Sequence, residues 1–134
     1  MASAGNWSSP MDELPSFLVL GRTGEEAAAT YLAQNKYSIV ARGFRMFRGE
    51  VDIVAYDGPT LVFLEVKTRR SEDFGYPEEA VTQAKQRQIR KIAEGYLMKN
   101  HLVESRTPCR FDVLSLVPDD GDAGFKIRHI KNAF

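Results

Sequence analysis

Asp52, Glu65 and Lys67 are the residues of this chain whose types and spacing best suit chemistry. They lie in two short segments, Gly49-Glu50-Val51-Asp52-Ile53-Val54 and Leu61-Val62-Phe63-Leu64-Glu65-Val66-Lys67. Both are rich in β-branched and aromatic residues and read as strands, and Asp57-Gly58-Pro59-Thr60 between them is a turn signal. With the hairpin centred on Gly58-Pro59, paired residue numbers sum to 117, so Asp52 faces Glu65 and Glu50 faces Lys67. Paired residues point to the same side of a hairpin. The other side would carry Val51, Ile53, Ala55, Val62, Leu64 and Val66, an apolar set that supports the register. Three carboxylates and a lysine then gather at one end of one face. Clustered acids are costly to ionise together without a cation among them, so the pattern predicts a divalent-metal site with a lysine beside it.

Other elements must bring further groups to this site. Thr23-Gly24-Glu25-Glu26 fits a capping box, which predicts a helix starting near Thr23 with Glu26 engaged at its cap. At about 100° per residue, Glu25 aligns with Ala28, Ala29 and Leu32 on the inward stripe. It reads either as a further acid delivered to Asp52 and Glu65 or as a solvated acid favoured by the helix dipole. Residues 37–41 read as the first strand. In 42–49 arginine recurs at every third position, interleaved with Phe44 and Phe47. Arg45 and Arg48 suit phosphates and exposed aromatics suit bases; the plainer reading is a solvated strand edge with two core phenylalanines. Lys67-Thr68-Arg69-Arg70 is a basic run beside the acids, and 71–77, with Phe74-Gly75-Tyr76-Pro77, reads as a loop, either at the mouth of the site and in contact with substrate or as a solvated strand end.

A second helix is predicted over 77–99, with Pro77 in its first turn and Val81, Ala84, Ile89, Ile92, Ala93 and Tyr96 on its apolar face. Lys85 and Gln88 share that arc; Lys85 either snorkels or extends over the sheet towards the acids or a bound phosphate. Arg87, Arg90 and Lys91 lie outside it, as a solvated face. Residues 111–117 and 125–130 read as the last two strands, with Asp112 structural and paired with Arg110 or with a neighbouring element. The turn 118–122 has three aspartates but lacks EF-hand spacing. His101 and His129 are isolated and read as non-ligands. The order α-β-β-β-α-β-β implies an α/β sandwich with a mixed sheet.

Composition sets limits. The 134 residues suggest one domain, 17–134, after a mobile leader at 1–16 rich in Ser, Gly, Ala and Pro. Hydrophobic residues at 43% suffice for a core, and zero formal net charge means that evidence for nucleic acid must come from local clustering. Cys109, the single cysteine, excludes an intramolecular disulfide and a multi-cysteine zinc site, reads as a small buried hydrophobe, and is compatible with a reducing cytoplasm. No apolar run approaches the ~20 residues that cross a bilayer, so no membrane partner is expected.

Asp52, a gap of twelve residues, and Glu65-Val66-Lys67 resemble the PD-(D/E)xK nuclease signature, with Val51 where the signature has proline. The element order resembles the restriction-endonuclease-like core. The chain is more closely similar to uncharacterised protein family 0102, the YraN-like proteins, which resemble archaeal Holliday junction resolvases. The pattern includes Gly21, Gly24-Glu25, Ala28, Tyr31-Leu32, Gly49 to Val54, Phe63 to Arg69, Phe74 to Pro77, Lys85 and Arg110 to Val113, in order. The resemblance implies a cytoplasmic endonuclease hydrolysing phosphodiester bonds in DNA, branched DNA included. It implies Mg²⁺ or Mn²⁺ held by Asp52, Glu65, the Val66 carbonyl and Glu25, with Lys67 catalytic. Glu50, Lys85 and Gln88 would be auxiliary, Glu50 through an ion pair with Lys67 or as a ligand. Arg45, Arg48, Arg69 and Arg70 would bind flanking phosphates, and resolvase-type relatives imply a homodimer. Two other readings are a catalytically silent nucleic-acid-binding or adaptor module and a dimeric scaffold with a vestigial acidic cluster.

Overall fold

The computed structural model describes residues 16–70, 81–119 and 124–134, with side chains of the first helix from residue 23 onward. Helix α1 (Ser16–Gln34) precedes β1 (Ser38–Met46), β2 (Gly49–Asp57) and β3 (Thr60–Thr68). Helix α2 (Gln83–Lys99), a 3-10 turn at Glu104–Arg106, β4 (Cys109–Pro118) and β5 (Phe125–Ile130) follow. The expected order is therefore the observed one. The five strands form one sheet in chain order. Only the β3–β4 pair is parallel, and α2 supplies the crossover that a parallel pair requires.

The sheet is covered on both faces. Ala28 and Leu32 of α1 pack with Ile53, Ala55, Val62, Leu64, Leu114 and Leu116. Ile89, Ile92, Ala93 and Tyr96 of α2 pack with Val51, Val54, Phe63, Phe111 and Val113. This two-sided burial explains why Leu61-Val62-Phe63-Leu64 at the centre is continuously apolar, and all four side chains are buried.

Several expected boundaries and faces move. Helix α1 starts at Ser16, so Thr23 is inside the helix and the capping box does not form; Glu26 pairs instead with Arg42 (3.0 Å). Gly24, which looked like a helix-start residue, is a packing residue. A Cβ there would collide with the Thr68 side chain, so Gly24 lets α1 lie directly on the end of β3 that carries Glu65 and Lys67. We expect Gly24→Ala to lower stability by about 1–3 kcal/mol, read from the urea midpoint; an unchanged midpoint would mean that the helix can lift off Thr68 freely.

Helix α2 starts at Gln83 rather than at 77, with the Thr82 hydroxyl accepting the Lys85 N–H (3.2 Å). Ala84 is exposed because the inward arc begins with the later turns. Pro77 and the loop 71–77 lie outside the described residues, as do 1–15 of the expected leader. Strand β1 continues through the arginine-rich stretch to Met46, past the expected end at 41. Cys109 is exposed at the mouth of β4, contrary to the buried reading, and its thiol donates to the Thr107 carbonyl (3.3 Å). Among the described residues, no helix is long and apolar enough to cross a membrane.

Candidate functional site

The β2–β3 register is the predicted one. Asp57 pairs with Thr60 and Ile53 with Leu64, and the turn between the strands is made with Gly58 at φ +57°. The paired ladder runs only as far as Ile53 and Leu64. At the next step the Asp52 carboxylate accepts the Val66 N–H (2.8 Å), so a side chain takes a main-chain donor there.

Asp52 also sits where strand alternation breaks. In β1, Gly43 (φ +61°) lies between the pairs Arg42–Ile53 and Phe44–Val51. Ala41 and Phe44 both pack on the α2 side, and so do Val51 and Val54. Ile53 between them packs on the α1 side. The expected single apolar face containing Val51, Ile53 and Ala55 therefore does not form, because the left-handed glycine turns both strands at this level. The consequence is local: Asp52 occupies the step at which the sheet changes face.

Glu65 is 3% exposed, and its Oε1 is buried with no hydrogen-bond partner. Its Oε2 lies 3.7 Å from Lys85 Nζ, which reaches over the sheet from the first turns of α2. An unpaired carboxylate oxygen in such a place is expensive unless it binds a proton or a cation. Burial is the main cause raising the Glu65 pKa to about 7; the Asp52 charge adds to it, while Lys85 and Lys67 oppose it. Asp52 is raised in the same way, by burial first, against the Val66 N–H, with Glu50 adding and Lys85 and Lys67 opposing. Both acids thus feel the same two lysines.

The remaining candidates are placed differently from one another. Glu25 is exposed, since the inward stripe of α1 is Gly24, Ala28 and Leu32. Partial burial raises its pKa, followed by the charges of Asp52 and Glu50, so it stands at the margin of the acidic pair. Glu50 does not hold Lys67 as expected; it is paired across β1–β2 with Arg45 and accepts from Arg45 Nε (2.9 Å). The β2–β3 pairing ends before reaching Glu50, so β1 determines its partner. Arg45 is consequently tied to a carboxylate. Arg48 is exposed at the β1–β2 turn, and Arg69 and Arg70 end β3, half-buried and exposed respectively.

Lys85 meets the acidic pair, whereas Gln88 lies against Gly49. With Arg45, Met46, Arg48, Gly49 and Glu50 they line a cavity of about 610 Å³. The cavity was not foreseen, because it arises from the hairpin turn lying on α2. Its only sequence trace is Gly49 and Gly95, where Cβ atoms would run into Gln88 and into Met46 and Phe47.

As a receptor for a hard divalent cation, the site offers oxygen donors and one buried carboxylate oxygen without a partner, which fits. Among the described residues, no group of three or more His, Cys, Asp or Glu side chains is arranged to hold a metal. The side-chain ligands available are then the pair Asp52 and Glu65.

A second polar cluster lies where α1 meets β4 and β5. Asp112, Arg110, His129, Tyr31, Tyr37 and Asp57 form a connected network. The Arg110–Asp112 pair was predicted; His129, isolated in sequence, is part of it.

Comparison with known proteins places this architecture. The model of "Uncharacterised protein family UPF0102" matches residues 24–116. A UPF0102 protein of Geotalea uraniireducens is 51% identical over 86% of this chain and 88% of its own length. One from Symbiobacterium thermophilum is 47% identical over 86% and 95%, and one from Chlorobium limicola 48% over 86% and 91%. The matched span carries Glu25, Asp52, Glu65, Lys67 and Lys85 together, and the chain belongs to uncharacterised protein family UPF0102.

Proposed function

We propose that this protein is a divalent-metal-dependent endonuclease hydrolysing phosphodiester bonds in DNA, branched DNA included. The observation that carries the reading is the buried, unpartnered Oε1 of Glu65 beside Asp52, with Lys67 and Lys85 acting on both acids. A structural role would leave no reason to keep that oxygen without a donor.

Asp52 and Glu65 would hold Mg²⁺ or Mn²⁺, helped by the Val66 carbonyl and, through water, by Glu25. When bound, such an ion polarises a phosphate and lowers the pKa of a water. Lys67 orients the attacking water and offsets the negative charge that builds on the phosphate. Lys85 keeps the Glu65 carboxylate in place through Oε2. Arg48, Arg69 and Arg70 contact flanking phosphates, with Arg45 available when it releases Glu50. Such contacts position a substrate but carry little sequence information, so recognition rests on DNA structure.

The test uses a labelled four-way junction and a matched linear duplex, with Mg²⁺ or Mn²⁺, against Asp52→Ala. We expect cleavage by the wild type, abolished in the variant, with the ratio of the two substrates reporting the effect of branching. Binding of both substrates by both proteins with no cleavage would overturn the enzyme reading. It would favour a catalytically silent nucleic-acid-binding module, the reading supported by the lack of a third metal-binding side chain among the described residues.

A further inference from the structure

Phe47 and Arg48 form the two-residue turn between the paired residues Met46 and Gly49. Both have positive φ, 53° and 61°, the pattern of a type I′ turn, which usually takes Asn and Gly. A bulky aromatic is disfavoured in that conformation. Core packing does not explain its presence, because Phe47 is 52% exposed.

The turn is nevertheless held firmly. A Cβ on Gly95 of α2 would come within 2.8 Å of Phe47 Cε2, and one on Gly49 within 2.6 Å of the Gln88 amide. The two glycines therefore seat the turn on the helix. Lys91 Nζ lies over the Phe47 ring, 5.0 Å from its centroid, and the residue stays half-exposed. Arg48, the other turn residue, lines the cavity of about 610 Å³ with Arg45, Lys85 and Gln88, while the Phe47 ring lies outside that lining, against Gly95 and Lys91. The cavity's one carboxylate, Glu50, is already matched by Arg45. Lys85 belongs both to this cavity and to the acidic pair, since it also approaches Glu65.

We propose that the hairpin tip and its cavity form a receptor for an unpaired nucleotide. Phe47 stacks on the base, while Arg48, Lys85 and Gln88 bind the adjoining phosphate. An exposed ring on one turn residue and a cation-lined cavity that begins at the next match a base and its adjoining phosphate. A base inside a duplex presents no free face to the ring. The receptor therefore selects single-stranded segments and delivers the neighbouring phosphodiester towards Asp52 and Glu65. This rests on the reading of the acidic pair as a nucleic-acid site.

The experiment measures binding of the full chain in EDTA to a single-stranded oligonucleotide carrying 2-aminopurine and to its fully paired duplex. We expect tighter binding of the single strand and a change in 2-aminopurine fluorescence on binding. Phe47→Ala should weaken single-strand binding about 5–30-fold and leave duplex binding unchanged, whereas Phe47→Tyr should retain affinity. Phe47→Asn keeps the left-handed turn while deleting the ring, so its loss of affinity separates stacking from a disturbed fold. Single-strand affinity equal to wild type in Phe47→Ala and Phe47→Asn would overturn the proposal, and cleavage lost in Asp52→Ala would then leave the hydrolase reading intact. No cleavage by the wild type, with single-strand affinity still dependent on Phe47, would instead retain the receptor and reject the hydrolase.

Discussion

Glu65→Gln makes the metal-free protein more stable and removes its metal-dependent hydrolysis. The two effects share one cause. Glu65 is buried near Asp52, and its pKa rises from an ordinary value of 4.5 to about 7. Below the lower value the folded and unfolded chains both carry the proton. Between the two values the folded chain keeps a proton that the unfolded chain releases, so stability falls as pH rises, and the full penalty is present above the upper one. The gap corresponds to about 3 kcal/mol. Asp52 is raised in the same direction, by burial first, and its contribution has the same sign. A glutamine of nearly the same shape removes the charge, and Lys85, which is partly exposed, can turn to water.

Thermal unfolding in EDTA at pH 5 and pH 8 checks this. The wild type should lose stability between the two, and the variant should lose much less. Mg²⁺ or Mn²⁺ should raise the wild-type Tm at pH 8, because a ligand of the folded state alone stabilises it, and should leave the Glu65→Gln Tm nearly unchanged. Cleavage should fall by on the order of 10²–10³-fold or more. A variant less stable than wild type at pH 8 would mean that Glu65 is a structural ion-pair partner of Lys85.

Some parts of this site were readable from sequence because local rules fix them. Gly58 sets the β2–β3 turn and the apolar alternation sets its register, so the neighbourhood of Asp52 and Glu65 follows from counting. Helical periodicity likewise placed Lys85 and Gln88 on the sheet side of α2. What was not readable depends on contacts between elements distant in sequence. Gly43 looks like any strand-end glycine, yet its positive φ re-aims β1 and β2 together. Gly24 looks like part of a cap until Thr68 is found against it. Glu50 has a neighbour on each side, and considering only β3 gave Lys67, whereas β1 supplies Arg45. These cases have one origin: the role of a glycine or an acid is decided by an element that its own stretch of sequence does not identify.

Asp112→Ala should be the most destabilising single substitution considered, by about 3–5 kcal/mol. Asp112 is fully buried, and its carboxylate accepts from Arg110 Nε and Nη2 (both 2.9 Å) and from the Asn132 N–H (2.9 Å). His129 Nε2 is 2.8 Å away, and Nδ1 is 3.0 Å from the Tyr31 hydroxyl; a neutral ring protonated at Nε2 satisfies both. Alanine would leave the ring and the main-chain donor without acceptors, while Arg110 would retain Asp57 and the Tyr37 hydroxyl. The loss would also detach β5 and α1 from a shared anchor. Burial alone would raise the Asp112 pKa, but bonds from His129, Arg110 and Asn132 outweigh it and hold the carboxyl below its ordinary value. Its stabilisation is therefore present above the unfolded value near 3.8 and is lost as pH falls through the lower folded one. The two carboxylates thus act in opposite directions. Asp112 makes the fold acid-sensitive, Glu65 makes the metal-free fold weaken towards neutral pH, and stability should peak at mildly acidic pH between them. Urea midpoints across pH should show Glu65→Gln losing the upper slope and Asp112→Ala the lower. An Asp112→Ala protein as stable as wild type would mean that the network is neutral to the fold, whereas a destabilised variant that still cleaves per folded molecule would confirm that this network supports the structure and takes no part in the chemistry.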